Sequence, residues 1–435
     1  MKKVTILTNF IGYDKKYSLC NVVAEQIGML KHHGYPYQII VNEGFQPEPP
    51  FTEDVLKFLP NVRVYNEIKK DDTWDKDCAD IAKKLDPLLA DSDVVFSHDL
   101  IYQPAYMKMN VAAKQVAKKY SKIKWLHWIH SSTTPMVLGK QVLGKDAGYL
   151  DIVMQQFPNS FVVYPNAFEI PRVARNLGYE EDQVKVVPHA TDPADFFGFH
   201  PITRELVRKY GLYGADVIAV YPLRLDRGKQ PQFCINFMHG IKAEGRSIRM
   251  IFCDFHSTGG DKVVYRTELK DLAIKLGLND HEVVFTSDLG IIKDEAGQPH
   301  DCTCGVPRAV VRDLMLLSNL FMLPSRSETY SLVAQEAGLC KNLLVLNYDF
   351  PPMRSIYGED PIYAKFGSNI DALTGLDGST DVEYTPNVNA YARDYARKIC
   401  HYLENEKCIA MATKLRKTRN PDYIFKHNLE PLFYA

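Results

Sequence analysis

The sequence lacks the features that mark membrane, secreted or nucleic-acid-coating proteins. Its 435 residues hold 52 Lys and Arg against 53 Asp and Glu, so the formal net charge of -1 gives no global bias toward an anionic partner. No stretch approaches the ~20 uninterrupted apolar residues of a membrane span. The apolar run that begins at Val4 is too short for a secretory signal. We therefore predict a cytoplasmic protein without integral membrane contact.

The sequence also lacks a paired cysteine pattern, since its nine cysteines are odd in number and scattered along the chain. Free thiols in a reduced compartment fit this usage better than a disulfide framework. The close pair Cys302 and Cys304 has neither the spacing of a zinc knuckle nor a matching Cys or His pair after it. The sequence therefore predicts no metal site and no cofactor.

What the chain does contain is an ordinary globular composition, with 46% hydrophobic and 24% charged residues. Its length suggests roughly two to three domains. Short runs rich in Val, Ile and aromatic residues alternate with segments of helical spacing. In the first such segment Leu19, Val23, Ile27 and Leu30 share one face, and Gly34 stands where the helix should end. This alternation is typical of a parallel sheet with helices between its strands.

The alternation occurs twice along the chain. The first set of predicted strands spans residues 4–10, 37–41, 62–65, 94–98, 125–130, 161–164 and 184–188. The second set spans 217–225, 250–253, 283–286, 320–324 and 343–347, and the polar stretch 290–304 is interpreted as a surface insertion. We predict an α/β protein with two doubly wound domains, and the cleft between them as the default ligand site.

Two carboxylates follow one strand of the second set. Glu328 lies in the turn after the strand, and Glu336 lies on an apolar helix that begins near Ser331. A carboxylate among apolar side chains needs partners to be tolerated. Both can accept hydrogen bonds from ligand hydroxyls, while the helix N-terminus favours an anion. Taken alone, Glu336 also fits a structural role in capping a neighbouring loop.

Two cations follow another strand of the same set. Arg224 and Lys229 lie on either side of a turn. A fork-shaped guanidinium beside an ammonium group suits a diphosphate. The alternative is that both are solvated turn charges.

Together these motifs resemble those of retaining GT-B glycosyltransferases, in particular the GT4-like family. Glu328 and Glu336 match its E-x7-E motif, and Arg224 with Lys229 resembles its G-R-L-x-x-x-K-G stretch. The resemblance implies that Glu336 holds the ribose hydroxyls of a nucleotide and that Glu328 holds hydroxyls of the donor sugar. It also implies that Arg224 and Lys229 neutralise the departing diphosphate.

Further segments, in the order expected for that family, extend the resemblance over nearly the whole chain. The first loop with Gly12, the strand end at His130 and the hinge 187–192 are similar to family motifs. The resemblance implies that Gly12 lets the loop approach the phosphate and that His130 contacts the sugar near its 6-position. It also implies that backbone N–H groups of Thr329, Tyr330 and Ser331 bind sugar or phosphate.

Three departures from the family pattern accompany the resemblance. The usual E-G-F-G is Glu328-Thr329-Tyr330-Ser331 here, without either glycine. The glycine expected in the base-binding loop is also replaced in residues 285–288, as is the N-G of the hinge. The replacement in the base-binding loop weakens the assignment of the base from sequence.

The resemblance also implies a GT-B architecture and an activity. Residues 1–195 would form a Rossmann-like acceptor domain, 196–415 a Rossmann-like donor domain, and 416–435 a helix that crosses back onto the first. The implied reaction moves a hexosyl group from a nucleotide sugar, UDP-glucose by default, to a hydroxyl with retention and without a metal. A GT-B-like epimerase or phosphorylase and a non-catalytic nucleotide-sugar-binding module are the alternatives.

One local charge bias bears on the acceptor. From 100 to 145 the sequence has no Asp or Glu and eight lysines. A basic field in a neutral protein favours an anionic acceptor, such as DNA with a hydroxylated base or a phosphorylated glycan or lipid. Candidate acceptor residues are His98, Lys114 and Lys118. The alternatives are a solvated basic helix face and, for His98, a structural hydrogen bond.

Overall fold

The computed structural model describes residues 1–59, 72–130, 148–254, 262–294, 296–328, 330–366 and 388–435. The predicted strand at 62–65, the backbone donor Thr329 and the lysines at 140 and 145 lie outside these ranges. The described chain forms two compact units. The first comprises Met1–Thr191 and Pro421–Ala435, and the second comprises Asp192–Asn420.

The first unit is built on a seven-stranded parallel sheet with the order β3-β2-β1-β4-β5-β6-β7. The strands are β1 Val4–Leu7, β2 Tyr37–Asn42, β3 Leu56–Leu59, β4 Val94–His98, β5 Lys124–Trp128, β6 Ser160–Tyr164 and β7 Val184–Val186. Most of these strands are buried along their length, as expected for a parallel sheet covered on both faces. The helices between them are Ser18–His32, Trp74–Leu89, Met107–Lys119, Gly148–Val153 and Ile170–Leu177.

The first helix, Ser18–His32, shows how local sequence sets this pattern. Its stripe of Leu19, Val23, Ile27 and Leu30 is buried against the sheet. Gly34 follows the helix with φ 71°, the left-handed conformation that glycine adopts without strain. The predicted helix and its end are thus confirmed.

The last residues of the chain pack on the first sheet. They form three short helical turns, Pro421–Ile424, Phe425–Leu429 and Glu430–Phe433. Ile424, Phe425, Leu429 and Phe433 join the buried cluster that includes Ile6 of β1. The aromatic ring of Phe433 lies 5.7 Å from that of Phe96 in β4, measured between centroids. The segment therefore completes the core of the first unit.

The second unit holds a six-stranded parallel sheet with the order β10-β9-β8-β13-β14-β15. The strands are β8 Val217–Tyr221, β9 Ile248–Phe252, β10 Val283–Phe285, β13 Leu320–Leu323, β14 Leu343–Asn347 and β15 Ile362–Ala364. The helices are Pro193–Phe196, Pro201–Tyr210, Pro231–Ala243, Lys262–Lys275, Arg308–Leu317, Leu332–Leu339, Pro351–Tyr357, Val388–Asn405 and Lys407–Thr418. The predicted polar insertion contains an antiparallel hairpin, β11 Ile291–Lys293 with β12 Pro299–Asp301.

Both sheets follow one topology. Counted along the chain, and leaving the hairpin aside, each runs 3-2-1-4-5-6, and the first sheet adds a seventh strand. In such doubly wound sheets the strand order reverses between the first and fourth strands, and ligands bind at the carboxyl ends of those two strands. The predicted α/β fold class with two doubly wound units is confirmed. Among the described residues no helix is both long and apolar enough to cross a membrane.

Candidate functional site

The switch point of the second sheet lies between β8 and β13. The loop after β8 carries Arg224 and Lys229, and the loop after β13 carries Glu328. Carboxyl ends of adjacent parallel strands meet at the same edge of the sheet, so the topology delivers both loops to one place. The sequence placed these residues after strands, and the sheet order makes those strands neighbours.

An ion pair joins the two loops. The Lys229 ammonium lies 2.6 Å from Oε1 of Glu328, and their side chains are only 18% and 12% exposed. The hydroxyl of Tyr221, at the end of β8, donates to the backbone carbonyl of Lys229 at 3.0 Å. Partial burial reduces solvent screening, so this pair is more strongly coupled than a surface ion pair. A cation and a carboxylate are thereby fixed side by side at the switch point.

Two buried side chains that the sequence analysis missed tie these loops together. The Gln230 amide donates to the carbonyls of Pro324 at 2.7 Å and Phe366 at 2.8 Å, and its oxygen accepts from Arg326 Nε at 3.3 Å. The backbone N–H of Arg326 donates to the carbonyl of Gly228 at 3.0 Å. Gln230 has φ 52°, an uncommon left-handed conformation for a non-glycine residue. Its place directly after Lys229 was the available signal.

Arg224 is turned toward its own loop. Its Nε lies 3.1 Å from the carboxylate of Asp226, and its side chain is 47% exposed. An exposed guanidinium in a single ion pair can change partner at little cost, because such pairs contribute about 0–1 kcal/mol. The structure therefore brings Lys229 and Glu328 together and holds Arg224 on the adjoining part of the loop.

Glu336 lies on the helix Leu332–Leu339, as predicted, but in a different environment. It forms an ion pair with Arg308, whose side chain is 85% exposed, and is itself 32% exposed. Its carboxylate is thus solvated and paired rather than enclosed by apolar side chains. Sequence reasoning also missed Arg308, because it lies on a different helix from Glu336 and the two are distant in sequence.

The residue before that helix has a left-handed backbone conformation. Ser331 has φ 64°, and its carbonyl accepts a hydrogen bond from the Tyr357 hydroxyl at 2.9 Å. This left-handed conformation costs a non-glycine residue on the order of 1 kcal/mol or more. Tyr330 beside it is 46% exposed. A serine therefore takes up here a conformation that glycine adopts at lower cost.

Among the described residues of this loop, two buried hydroxyl groups have no hydrogen-bond partner. They are the Oγ atoms of Ser325, after β13, and of Ser331. Buried polar groups are almost always satisfied, so an orphaned hydroxyl in a candidate site is a place for a ligand atom. Sugar hydroxyls and phosphate oxygens both offer the complementary chemistry.

The loop after β10 is pinned by a buried acid. Asp254 accepts from Thr286 Oγ1 at 3.2 Å, and from the N–H and Oγ of Ser287 at 2.9 and 2.6 Å. Asp288 in the same turn pairs with Arg266 and with Lys270. These contacts hold the loop after β10 in a 3-10 turn, Thr286–Leu289.

In the first unit the predicted histidines do lie together. His98 Nδ1 is 3.3 Å from His130 Nε2, and the two rings stack with centroids 5.6 Å apart. The His130 ring also stacks on His189 at 5.9 Å. Burial lowers the pKa of His130 to about 4 and that of His98 well below its ordinary range, so both rings are neutral near pH 7.

Asp99 anchors this group from the end of β4. Its Oδ1 accepts from the backbone N–H of His130 at 3.1 Å and from the Tyr102 hydroxyl at 2.6 Å. Burial raises the pKa of Asp99 to about 6, while both hydrogen bonds act in the opposite direction. Its φ of 55° is a left-handed value that Asp and Asn tolerate better than most residues. His189 and Asp99 were not predicted as site residues.

In the described part of the basic stretch, residues 100–130, two lysines are neutralised by acids from another helix. Lys108 and Lys119 pair with Asp77 and Asp86 of the helix Trp74–Leu89, at 2.5 and 2.7 Å. The acid-free sequence therefore folds against acids that come from elsewhere in the chain. This neutralisation corrects the expectation that the whole stretch presents positive charge.

Lys114 also departs from its predicted place. Its ammonium is buried, donates to the carbonyl of Ile152 at 2.5 Å and lies 5.4 Å from the centre of the Phe157 ring. Burial lowers the pKa of Lys114 to about 7, with the nearby Lys118 charge acting in the same direction. A side chain held in the core cannot offer its charge to an anionic acceptor. Lys118 is exposed, as that role requires.

Gly12 lies in an exposed part of the first loop. A Cβ atom at this position would meet no heavy atom within 4 Å, and the residue does not have a positive φ. In the described structure nothing therefore requires glycine there, and only a closely approaching ligand would.

No protein-family profile matches the chain, and no curated protein sequence matches it. Among solved structures the chain is similar to Anabaena HepE in complex with UDP and glucose, at 13% identity and TM-score 0.35 over all of both chains. A glycosyltransferase from Rickettsia africae has 13% identity and TM-score 0.34 over 99% of this chain and 97% of its own. Sucrose-phosphate synthase from Thermosynechococcus elongatus has 15% identity and TM-score 0.31 over 100% and 97%. Likeness at this level does not assign a function to the chain.

Proposed function

We propose that the chain is a glycosyltransferase that moves a hexosyl group from a nucleotide sugar to an acceptor hydroxyl, with retention of configuration. The observation that carries the proposal is the Lys229–Glu328 pair at the switch point of the second sheet. Open α/β sheets bind nucleotides at that edge. A cation suited to the diphosphate and a carboxylate suited to sugar hydroxyls would thus flank the bond that breaks.

The chemistry follows from this charge layout. Cleavage of the sugar–phosphate bond leaves negative charge on the diphosphate and an oxocarbenium-like carbon on the sugar. An ammonium group held in place stabilises the leaving group more in the transition state than in the ground state. In this scheme Lys229, with Arg224 turned inward from Asp226, does the work that a metal ion does in other transferases. The leaving phosphate takes the acceptor's proton in a same-face attack.

The remaining residues divide between the sugar, the nucleotide and the acceptor. Glu336 would hold the ribose, with UDP-glucose as the default donor, and the orphaned hydroxyls of Ser325 and Ser331 would bind sugar or phosphate oxygens. His130 would contact the sugar as a neutral ring. An anionic acceptor stays a hypothesis, supported by the exposed Lys118 and weakened by the acids that neutralise its neighbours.

The test begins with donor binding. UDP-, GDP- and ADP-sugars are screened for an increase in the melting temperature of the full chain, because a ligand that binds only the native state stabilises it by mass action. One nucleotide class should raise the melting temperature more than the others. The best donor is then incubated with an acceptor panel, and transfer is read by mass spectrometry.

Variants of Lys229 test the catalytic assignment. Lys229→Ala should lower kcat, because it should raise the activation barrier by about 2–4 kcal/mol. This is the cost of removing one stabilising donor from a developing negative charge. Lys275→Ala, an exposed lysine on the helix Lys262–Lys275, is the matched control and should leave kcat unchanged. Unchanged turnover in Lys229→Ala would refute the role.

The products separate the alternatives. Free sugar phosphate would indicate a phosphorylase, and an epimerised nucleotide would indicate an epimerase. Donor binding without transfer or hydrolysis would indicate a binding module. The proposal requires a glycosylated acceptor whose anomeric configuration equals that of the donor.

A further inference from the structure

Three potential metal ligands meet at the surface of the first unit, on elements that the proposed reaction does not use. His32 and His33 end the helix Ser18–His32, and Asp422 lies in the first turn of the terminal segment. One ligand atom from each lies within 4.8 Å of the others. The Asp422 Oδ1 atom is 3.3 Å from His33 Nε2 and 4.0 Å from His32 Nε2.

The orientation of His33 suggests coordination rather than a hydrogen bond. Its Nε2 atom is buried and has no hydrogen-bond partner in the described part of the chain, although the Asp422 oxygen is 3.3 Å away. The ring nitrogen therefore does not point at that oxygen. In a tetrahedral zinc site with bonds of 2.0–2.1 Å, neighbouring ligand atoms lie about 3.4 Å apart and each points at the centre. The His33–Asp422 pair has this spacing and lacks a hydrogen bond.

Phe425 orients the His33 ring, and Lys426 competes with a metal ion for the Asp422 carboxylate. The His33 ring stacks on Phe425 with centroids 4.0 Å apart and planes 7° from parallel, so its direction is set by the core. The Lys426 ammonium lies 3.1 Å from the Asp422 carboxylate, one turn further along the chain. A cation bound at the three ligands would repel this ammonium, so Lys426 weakens the site without blocking it.

We propose that His32, His33 and Asp422 bind one Zn²⁺ ion, which links the terminal segment to the first helix. Two imidazole nitrogens and one carboxylate oxygen are ligands that zinc accepts, and water completes the fourth position. The site is independent of the proposed transferase activity. Its effect is structural, because Asp422 lies at the start of the terminal segment, whose side chains complete the core of the first unit.

Calorimetric titration of the metal-free full chain with zinc chloride at neutral pH tests the proposal. One equivalent should bind with micromolar affinity, and hydrogen exchange of residues 421–435 should slow. His33→Ala and the isosteric Asp422→Asn should each weaken binding by about tenfold or more. Lys426→Ala should strengthen it by roughly threefold, because it removes a competing charge.

The matched control is His427→Gln, an exposed histidine of the same segment whose ring stacks on Tyr423. This variant should bind zinc like the parent chain. Absence of binding to the parent chain would overturn the proposal. So would binding that persists in Asp422→Asn, since the ion would then be held elsewhere, for example by the exposed thiols of Cys304 or Cys408. Melting temperatures in a chelator show whether each variant folds like the parent.

Discussion

Asp99→Asn should remove a pH dependence from the stability of the first unit. The pKa of Asp99 is raised from 3.8 to about 6, mainly by burial. One pKa unit corresponds to about 1.4 kcal/mol, so ionising this carboxyl in the folded chain costs about 3 kcal/mol. A folded-state pKa above the unfolded one means that the contribution is present below pH 4 and is lost as the pH rises to 6 and above.

Asparagine at position 99 can keep the hydrogen bonds and the backbone conformation of Asp99 while it removes the charge. Its amide oxygen can still accept from His130 N–H and the Tyr102 hydroxyl, and it tolerates φ 55°. The free energy of unfolding of Asp99→Asn, relative to the parent, should therefore rise by about 2 kcal/mol between pH 4 and 7, because part of the full effect is already reached at pH 4, just above the ordinary pKa of 3.8. The slope of this difference is the prediction, rather than its absolute value at one pH.

The assay uses the intrinsic fluorescence of the chain. The only three tryptophans, Trp74, Trp125 and Trp128, all belong to the first unit, so urea unfolding followed by tryptophan emission reports on that unit within the full chain. Asp151→Asn, at an exposed position, is the control and should follow the parent at every pH. If Asp99→Asn also ran parallel to the parent from pH 4 to 7, the buried charge would not have the assigned cost.

The remaining predictions concern the second unit. Gln230→Ala should destabilise the chain by about 2–3 kcal/mol in urea unfolding, because it leaves two buried carbonyls unsatisfied and separates the two loops. Gly240→Ala should cost about 1–3 kcal/mol in the same assay, since its Cβ would lie 2.9 Å from the carbonyl of Ala392. Arg308→Ala should change donor affinity by less than about fivefold, because its ion pair is exposed. Glu336→Gln should weaken donor binding more than Arg308→Ala, and equal losses would count against the ribose assignment.

Strand periodicity made the fold predictable, with limits that follow from strand length. The predicted strands at 94–98 and 343–347 have the bounds of β4 and β14, because both are apolar runs bounded by turns. β15, Ile362–Ala364, was not predicted, since three residues carry no readable period. β3, Leu56–Leu59, was not predicted either. Its two central residues, Lys57 and Phe58, are exposed, so the strand shows neither a continuous apolar run nor a regular alternation.

The candidate site was predictable only where a motif carried it. Lys229 and Glu328 stand after strands, and their spacing along the chain pointed to them, yet the 2.6 Å contact depends on strand order. Gln230 offered only its place directly after Lys229 as a signal, and Arg326 offered none, because their roles arise from loops that are distant in sequence. The pairing of Lys108 and Lys119 with acids could not be predicted for the same reason, since a count along the 100–145 stretch omits acids from another helix.

The central claim is that the donor's diphosphate and sugar meet Lys229 and Glu328. A crystal structure of the full chain with its best nucleotide-sugar donor measures this directly. We expect a phosphate oxygen within about 3 Å of the Lys229 ammonium and a sugar hydroxyl at a similar distance from the Glu328 carboxylate. A nucleotide bound away from the carboxyl ends of β8 and β13, with the ion pair of these two residues undisturbed, would contradict the account.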